Sequence, residues 1–193
     1  MKKYVAEFFG TMLLSLTVTA SIFSAAGMPT AFWVAMTLAL MVFVIGSVSG
    51  GHYNPAVTFA MMATKKISSK TGLGYLIVQI AAGFAVLGIT MALGLKLPAF
   101  VSNFSISTSI AEIIGMAIFA FGIAGALDRA HGQLQTAIII GLSLMMGAYI
   151  AGGIGSYGII NPAIAISVHI WSLPYLIAPL IGSVIGVVLY RFI

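Results

Sequence analysis

Cysteine is absent from the 193 residues, and charge nearly so, with eight Lys and Arg against three Asp and Glu, or 6% of the chain. Without cysteine there is no disulfide, no thiolate metal site and no cysteine nucleophile, and the redox state of the compartment leaves no mark. A soluble domain carries about 25% charged residues to keep its surface wet. This chain is 61% hydrophobic with a mean hydropathy of +1.18, so its surface must face something apolar, and lipid is the simplest answer. The formal net charge of +5 does not come with a clustered basic, aromatic-bearing soluble face, which argues against a nucleic-acid partner.

What is present in abundance is long apolar runs. Six are long enough to cross a hydrocarbon core of about 30 Å, near 4–26, 31–49, 72–95, 109–127, 133–152 and 173–191. Met1-Lys2-Lys3 ahead of the first run has the outline of a signal peptide. That run, however, has spanning length and carries Glu7, and its pattern recurs later, so it reads as a span. With the N-terminus in the cytoplasm, Lys2, Lys3, Lys65, Lys66, Lys70, Arg129 and Arg191 fall inside and only Lys96 falls outside. This is the bias expected of cytoplasmic loops, and it places both termini in the cytoplasm.

Two shorter apolar stretches remain, at 54–63 and 161–170, opening with Asn54-Pro55-Ala56 and Asn161-Pro162-Ala163. Ten helical residues rise about 15 Å, half the hydrocarbon thickness, so each enters the membrane without crossing it. Asn caps free backbone N–H groups, and Pro at the first helical position gives up no needed donor. A single Asn-Pro pair would read as an ordinary turn; two in matching context do not.

The context does match. Ala6-Glu7-Phe8-Phe9-Gly10 opens the first span and Ala111-Glu112-Ile113-Ile114-Gly115 the fourth. The chain is therefore two units of one plan, approximately 1–96 and 105–193, within a single transmembrane domain 1–193. Each unit has three crossings, an odd number, so the second is inverted relative to the first. The expected fold is an all-α membrane protein of six transmembrane helices plus two re-entrant half-helices in an inverted repeat. The half-helix N-termini then meet near the midplane, where irregular backbone survives only if protein buries it or it lines a wet cavity. Each N-terminus carries about half a positive charge, and two facing one path oppose cations.

Glu7 and Glu112 are the carboxylates within spans, where an unpartnered charge costs ~3 kcal/mol or more. They could form a proton relay, or accept hydrogen bonds from the free backbone around each half-helix; one per repeat favours the second. His52 reads as part of its loop, His131 and His169 lack a second ligand at metal spacing, and the scattered Met read as packing. No metal, cofactor or catalytic constellation is expected.

Ser49-Gly50-Gly51-His52-Tyr53-Asn54-Pro55-Ala56-Val57-Thr58, the two AExxG openings, Gln79, Asp128-Arg129 and the second Asn-Pro-Ala resemble the aquaporin, or major intrinsic protein, family over essentially the whole chain. The resemblance implies an integral protein of the plasma membrane, a pore in each subunit, a homotetramer, and water and small neutral solutes as partners. It implies that Asn54 and Asn161 donate to solute at the pore centre, with acceptor carbonyls around Gly50–Tyr53 and Gly158–Ile160. Counting from the two Asn, the family's outer selectivity filter falls on Val34, Tyr149, Gly158 and Ile164. Most members carry Arg at the last position. Ile brings neither the charge nor the donors of Arg, which points to an apolar, wider filter passing small neutral solutes besides water. Ala165 stands where glycerol specialists usually have Asp. A strict water channel, an ion-conducting channel and a secondary transporter remain as rival readings.

Overall fold

The computed structural model describes residues 1–24, 27–100, 104–129 and 132–193; His131 and the expected end of the first span at Ala26 lie outside them. The described residues form helices and no strands. The long helices are α1 (Lys2–Phe23), α2 (Thr30–Ser49), α4 (Ser69–Ala92), α5 (Ile106–Asp128) and α6 (Gln133–Gly153). Two short ones, α3 (Pro55–Ala63) and α7 (Pro162–Ser167), begin at the two Asn-Pro pairs, and α8 (Leu173–Leu176) and α9 (Ala178–Tyr190) complete the chain. With α8 and α9 taken together, six helical segments are long and apolar enough to cross a membrane.

Where the boundaries differ from the sequence reading, local chemistry explains the shift. Spans expected to begin at 72 and 109 begin at Ser69 and Ile106, because Ser68 and Ser105 accept hydrogen bonds from the N–H groups of Thr71 and Thr108. Such caps are worth about 1 kcal/mol. The last span is not continuous but breaks at Ile177. Pro179 has no N–H to offer the Tyr175 carbonyl, and its ring crowds that turn.

The half-helices end alike and differ in length. After α3, Lys65 takes φ +58 while the N–H groups of Lys65 and Lys66 return to Met62 and Met61 O. After α7, His169 takes φ +62 while those of His169 and Ile170 return to Ile166 and Ala165 O. Both are left-handed terminations that satisfy the last carbonyls. The second arrives sooner, so the half-helix expected over 161–170 spans six residues against nine for α3.

The two units interlock. α5 packs on α6 and α9, α1 on α2 and α4, and α2 on α6. α3, from the first unit, seats against α9 of the second, while α7 seats against α4 of the first. Between apolar helices in lipid there is little hydrophobic drive, so close packing at small residues holds the assembly. Gly182 and Gly186 of α9 lie directly over the Ile113 and Ala117 carbonyls of α5, leaving no room for a Cβ. The outward faces carry large apolar side chains such as Leu40, Ile77, Phe84 and Leu142, as lipid contact requires.

Candidate functional site

The site is built around the two segments that lead into α3 and α7. Asn54 is the N-cap of α3: its Oδ1 accepts from Ala56 N at 2.8 Å, and its Nδ2 donates to Ile160 O at 2.9 Å. Asn161 does the reverse, with Oδ1 accepting from Ala163 N at 3.0 Å and Nδ2 donating to Tyr53 O at 3.1 Å. Each half-helix is thus tied to the backbone just ahead of the other. A carboxamide nitrogen has two N–H groups, and among the described residues each Asn uses one on protein.

The carbonyls that receive these bonds belong to strained residues. Tyr53 and Ile160, each immediately before its Asn, take φ +46 and +42. For a bulky or β-branched residue this is an outlier, costing of order 1–3 kcal/mol and persisting only where the surroundings over-determine it. The two glutamates do so. Glu7 accepts from Ser49 Oγ (2.6 Å), the N–H groups of His52 (3.0 Å) and Tyr53 (2.7 Å), and Gln79 Nε2 (2.8 Å). Glu112 accepts from Ser156 Oγ and the N–H groups of Ile159 (3.0 Å) and Ile160 (2.6 Å). Both carboxylates are fully buried, and every one of these partners is a donor. Gln79 also donates to Thr58 Oγ1, which meets His52 Nδ1 at 3.0 Å, so His52 sits in the same network with its ring edge-on to Tyr75.

A cavity flanks the Asn pair on each side. One, of about 80 Å3, is lined by Val18, Val34, Leu144, Ala148, Gly158 and Ile164, with Thr30, Ala31, Tyr157 and Ile159 at its edge. The other, of about 30 Å3, is lined by Gly50, Gly51, His52, Val57, Ile123 and Ile140, with Met61, Phe119 and Leu127 beyond. A water takes about 30 Å3 of liquid volume, so these are spaces for one or a few small molecules. The two linings correspond across the repeat: Val18 with Ile123, Val34 with Ile140, Gly51 with Gly158, and Val57 with Ile164. Gly51 and Gly158 take φ +65 and +66, and a Cβ on Gly158 would run into the Ala148 carbonyl.

Of the four positions expected in the outer filter, the structure brings Val34, Gly158 and Ile164 together and leaves out Tyr149. Tyr149 is 68% exposed, on the outer face of α6 with Leu142 and Met146. Ala148 takes its place in the cavity wall. The segment between α6 and Asn161 includes Gly155 at φ +114 as well as Gly158, so counting back from Asn161 does not preserve the helical register. The signal that would have found Ala148 is the buried face of α6, on which Ile140, Leu144, Gly147 and Ala151 recur at helical spacing. With Ala148 in place of an aromatic ring, no side chain from α6 larger than Leu144 enters the cavity. Among the lining residues none carries a charge.

Residues 1–190 match the family model described as Major intrinsic protein. The glycerol uptake facilitator protein-like 6 of Lactiplantibacillus plantarum is 33% identical, with 96% of this chain and 95% of that protein aligned. Aquaporin Z of Photorhabdus laumondii is 28% identical over 100% of this chain and 97% of its own. Among solved structures, the aquaglyceroporin from Plasmodium falciparum superposes with a TM-score of 0.74 at 20% identity, covering 99% of this chain and 94% of that one.

Proposed function

Because the chain belongs to the major intrinsic protein family, we propose that it is a passive channel for water and other small uncharged solutes, glycerol-sized or smaller. The path runs between the Val34 and His52 cavities past Asn54 and Asn161. The observation that carries this reading is the reciprocal Asn pair: two carboxamides fixed by each other's loops, each with one N–H to spare, between two small cavities. A water or hydroxyl crossing there accepts from both Asn at once, which turns its own hydrogens away from the next molecule in file and interrupts proton relay. The N-termini of α3 and α7 add positive potential at the same level, opposing cations.

Solute choice rests on the Val34 cavity. Ile164 and Ala148 make its wall apolar and short-sided, and no guanidinium narrows it or repels cations there. A hydroxyl-bearing solute could pass its carbon face along Val34 and Ile164. That relatives bear the names of a glycerol facilitator and an aquaporin is in keeping with both kinds of permeant. The basic residues orient the protein with its termini in the cytoplasm of the plasma membrane, so the Val34 cavity opens outward. Assembly is a homotetramer with a pore in each subunit.

Stopped-flow light scattering on proteoliposomes tests this. An impermeant osmolyte should drive shrinkage faster than in empty vesicles, and glycerol or urea gradients should show re-swelling. Ile164→Arg should reduce solute entry while water flux is retained. Water flux at the level of empty vesicles, or solute selectivity unchanged by Ile164→Arg, would overturn the proposal or its filter argument respectively.

A further inference from the structure

A cavity lies away from the pore, at the end of the bundle where α5 and α9 finish. It is an open cleft of about 560 Å3 lined by Lys66, Asp128, Arg129, Tyr190 and Arg191 among others. Its three cations come from separate places: the turn after α3, the residue following α5, and the residue following α9. The one acidic side chain in the wall, Asp128, accepts from the Tyr190 hydroxyl at 3.1 Å. Among the described residues neither it nor any other carboxylate forms an ion pair with Lys66, Arg129 or Arg191. Tyr190 is itself packed edge-on against Phe121 and seated over Gly125.

Three cationic side chains stand against one acidic side chain in this lining, and the C-termini of α3, α5 and α9 offset them only in part. They face a cleft within the volume range of ligand sites, about 300–1,000 Å3. Guanidinium groups bind phosphate through paired N–H donors and ammonium groups act as point charges beside them. Basic pockets between helix ends at the cytoplasmic surface are where anionic headgroups settle.

We propose that this cleft is a binding site for a phosphate-bearing anion, held by Arg129 and Arg191 with Lys66 alongside, and separate from the permeation path. The phosphate can belong to the headgroup of an anionic phospholipid or to a free phosphate. Both place the same charge against the same three side chains, and ionic strength weakens both.

The test uses the full-length protein in a neutral detergent, with the thermal midpoint and native mass spectrometry as readouts. The probes are dioleoylphosphatidylglycerol, dioleoylphosphatidylcholine and inorganic phosphate. A site variant, K66Q/R129Q/R191Q, is compared with a charge-matched variant elsewhere on the basic face, K2Q/K3Q/K70Q. Parent and charge-matched variant should be stabilised by phosphatidylglycerol and not by phosphatidylcholine. The site variant should need about tenfold more probe, equivalent to about 1.4 kcal/mol. The same pattern with inorganic phosphate assigns the site to a soluble anion, and a response to the lipid alone assigns it to a headgroup; either supports the proposal. If the two variants respond alike, or the parent responds to neither probe, the proposal is wrong. Water flux in proteoliposomes monitors folding. Should the triple variant fold poorly, R129Q and R191Q singly carry the same comparison.

Discussion

Replacing each buried glutamate by glutamine should injure the two halves unequally, by an amount that follows from counting donors. In Glu112→Gln the amide can keep its oxygen on the side of Ser156 Oγ and Ile159 N, and turns its NH2 toward Ile160 N. One buried donor loses its acceptor. In Glu7→Gln either orientation fails two donors, since Oε1 serves Ser49 and His52 N and Oε2 serves Tyr53 N and Gln79 Nε2. An unsatisfied buried donor costs about 1–3 kcal/mol, so E112Q should lose about 1–3 kcal/mol and E7Q roughly twice that. For a chain of this length 1 kcal/mol moves the melting midpoint by about 2–4 °C. Thermal unfolding in detergent, followed by circular dichroism, reads the difference. Flux should fall in both, because Tyr53 and Ile160 are held left-handed partly by these carboxylates, and their carbonyls position Asn161 and Asn54. An E7Q channel as stable as the parent, or a larger loss in E112Q than in E7Q, would refute the reasoning.

Other substitutions probe the cavities and the Asn pair. Ala148→Phe should cut water and solute flux by roughly tenfold or more, since permeation follows pore diameter. Tyr149→Ala, on the outer face, should leave both unchanged; a selectivity change in that variant would restore Tyr149 to the filter. Gly158→Ala forces a Cβ onto the Ala148 carbonyl in a left-handed backbone and should cost about 1–3 kcal/mol, seen as a lowered melting midpoint with no compensating gain in flux. Asn161→Asp removes the donor to Tyr53 O and sets a carboxylate between two electropositive helix ends. Planar-bilayer recordings should then show cation or proton conductance absent from the parent, and silence in both would count against the electrostatic barrier.

The spans, the two Asn-led half-helices and the paired glutamates were legible in the sequence because each rests on a short-range rule. Apolar length, an Asn-Pro start and a repeated AExxG require no knowledge of tertiary contacts. Of the four positions expected in the filter, Val34, Gly158 and Ile164 share one cavity wall and Tyr149 lies outside it, for a physical reason. A spacing counted through left-handed Gly155 and Gly158 does not translate into a position on α6. Helical spacing from Leu144 and Ala151 on the buried face of α6 reaches Ala148, and the count from Asn161 overrode that signal. The caps at Ser68 and Ser105 and the break before Pro179 were readable from side-chain chemistry, but long apolar runs outweighed them. The basic cleft was out of reach of the sequence, because Lys66, Arg129 and Arg191 converge only once α3, α5 and α9 are packed.

The absence of cysteine makes the central claim directly measurable. Val57 and Ile164 line opposite cavities on either side of the Asn pair, so Val57→Cys and Ile164→Cys each place a single thiol beside the path. Water flux is measured in proteoliposomes before and after a small methanethiosulfonate reagent, with mass spectrometry reporting modification. If the path runs between these cavities, modification should suppress flux in both variants and leave the cysteine-free parent untouched. Full modification at either position with flux unchanged would show that water does not travel past the two asparagines.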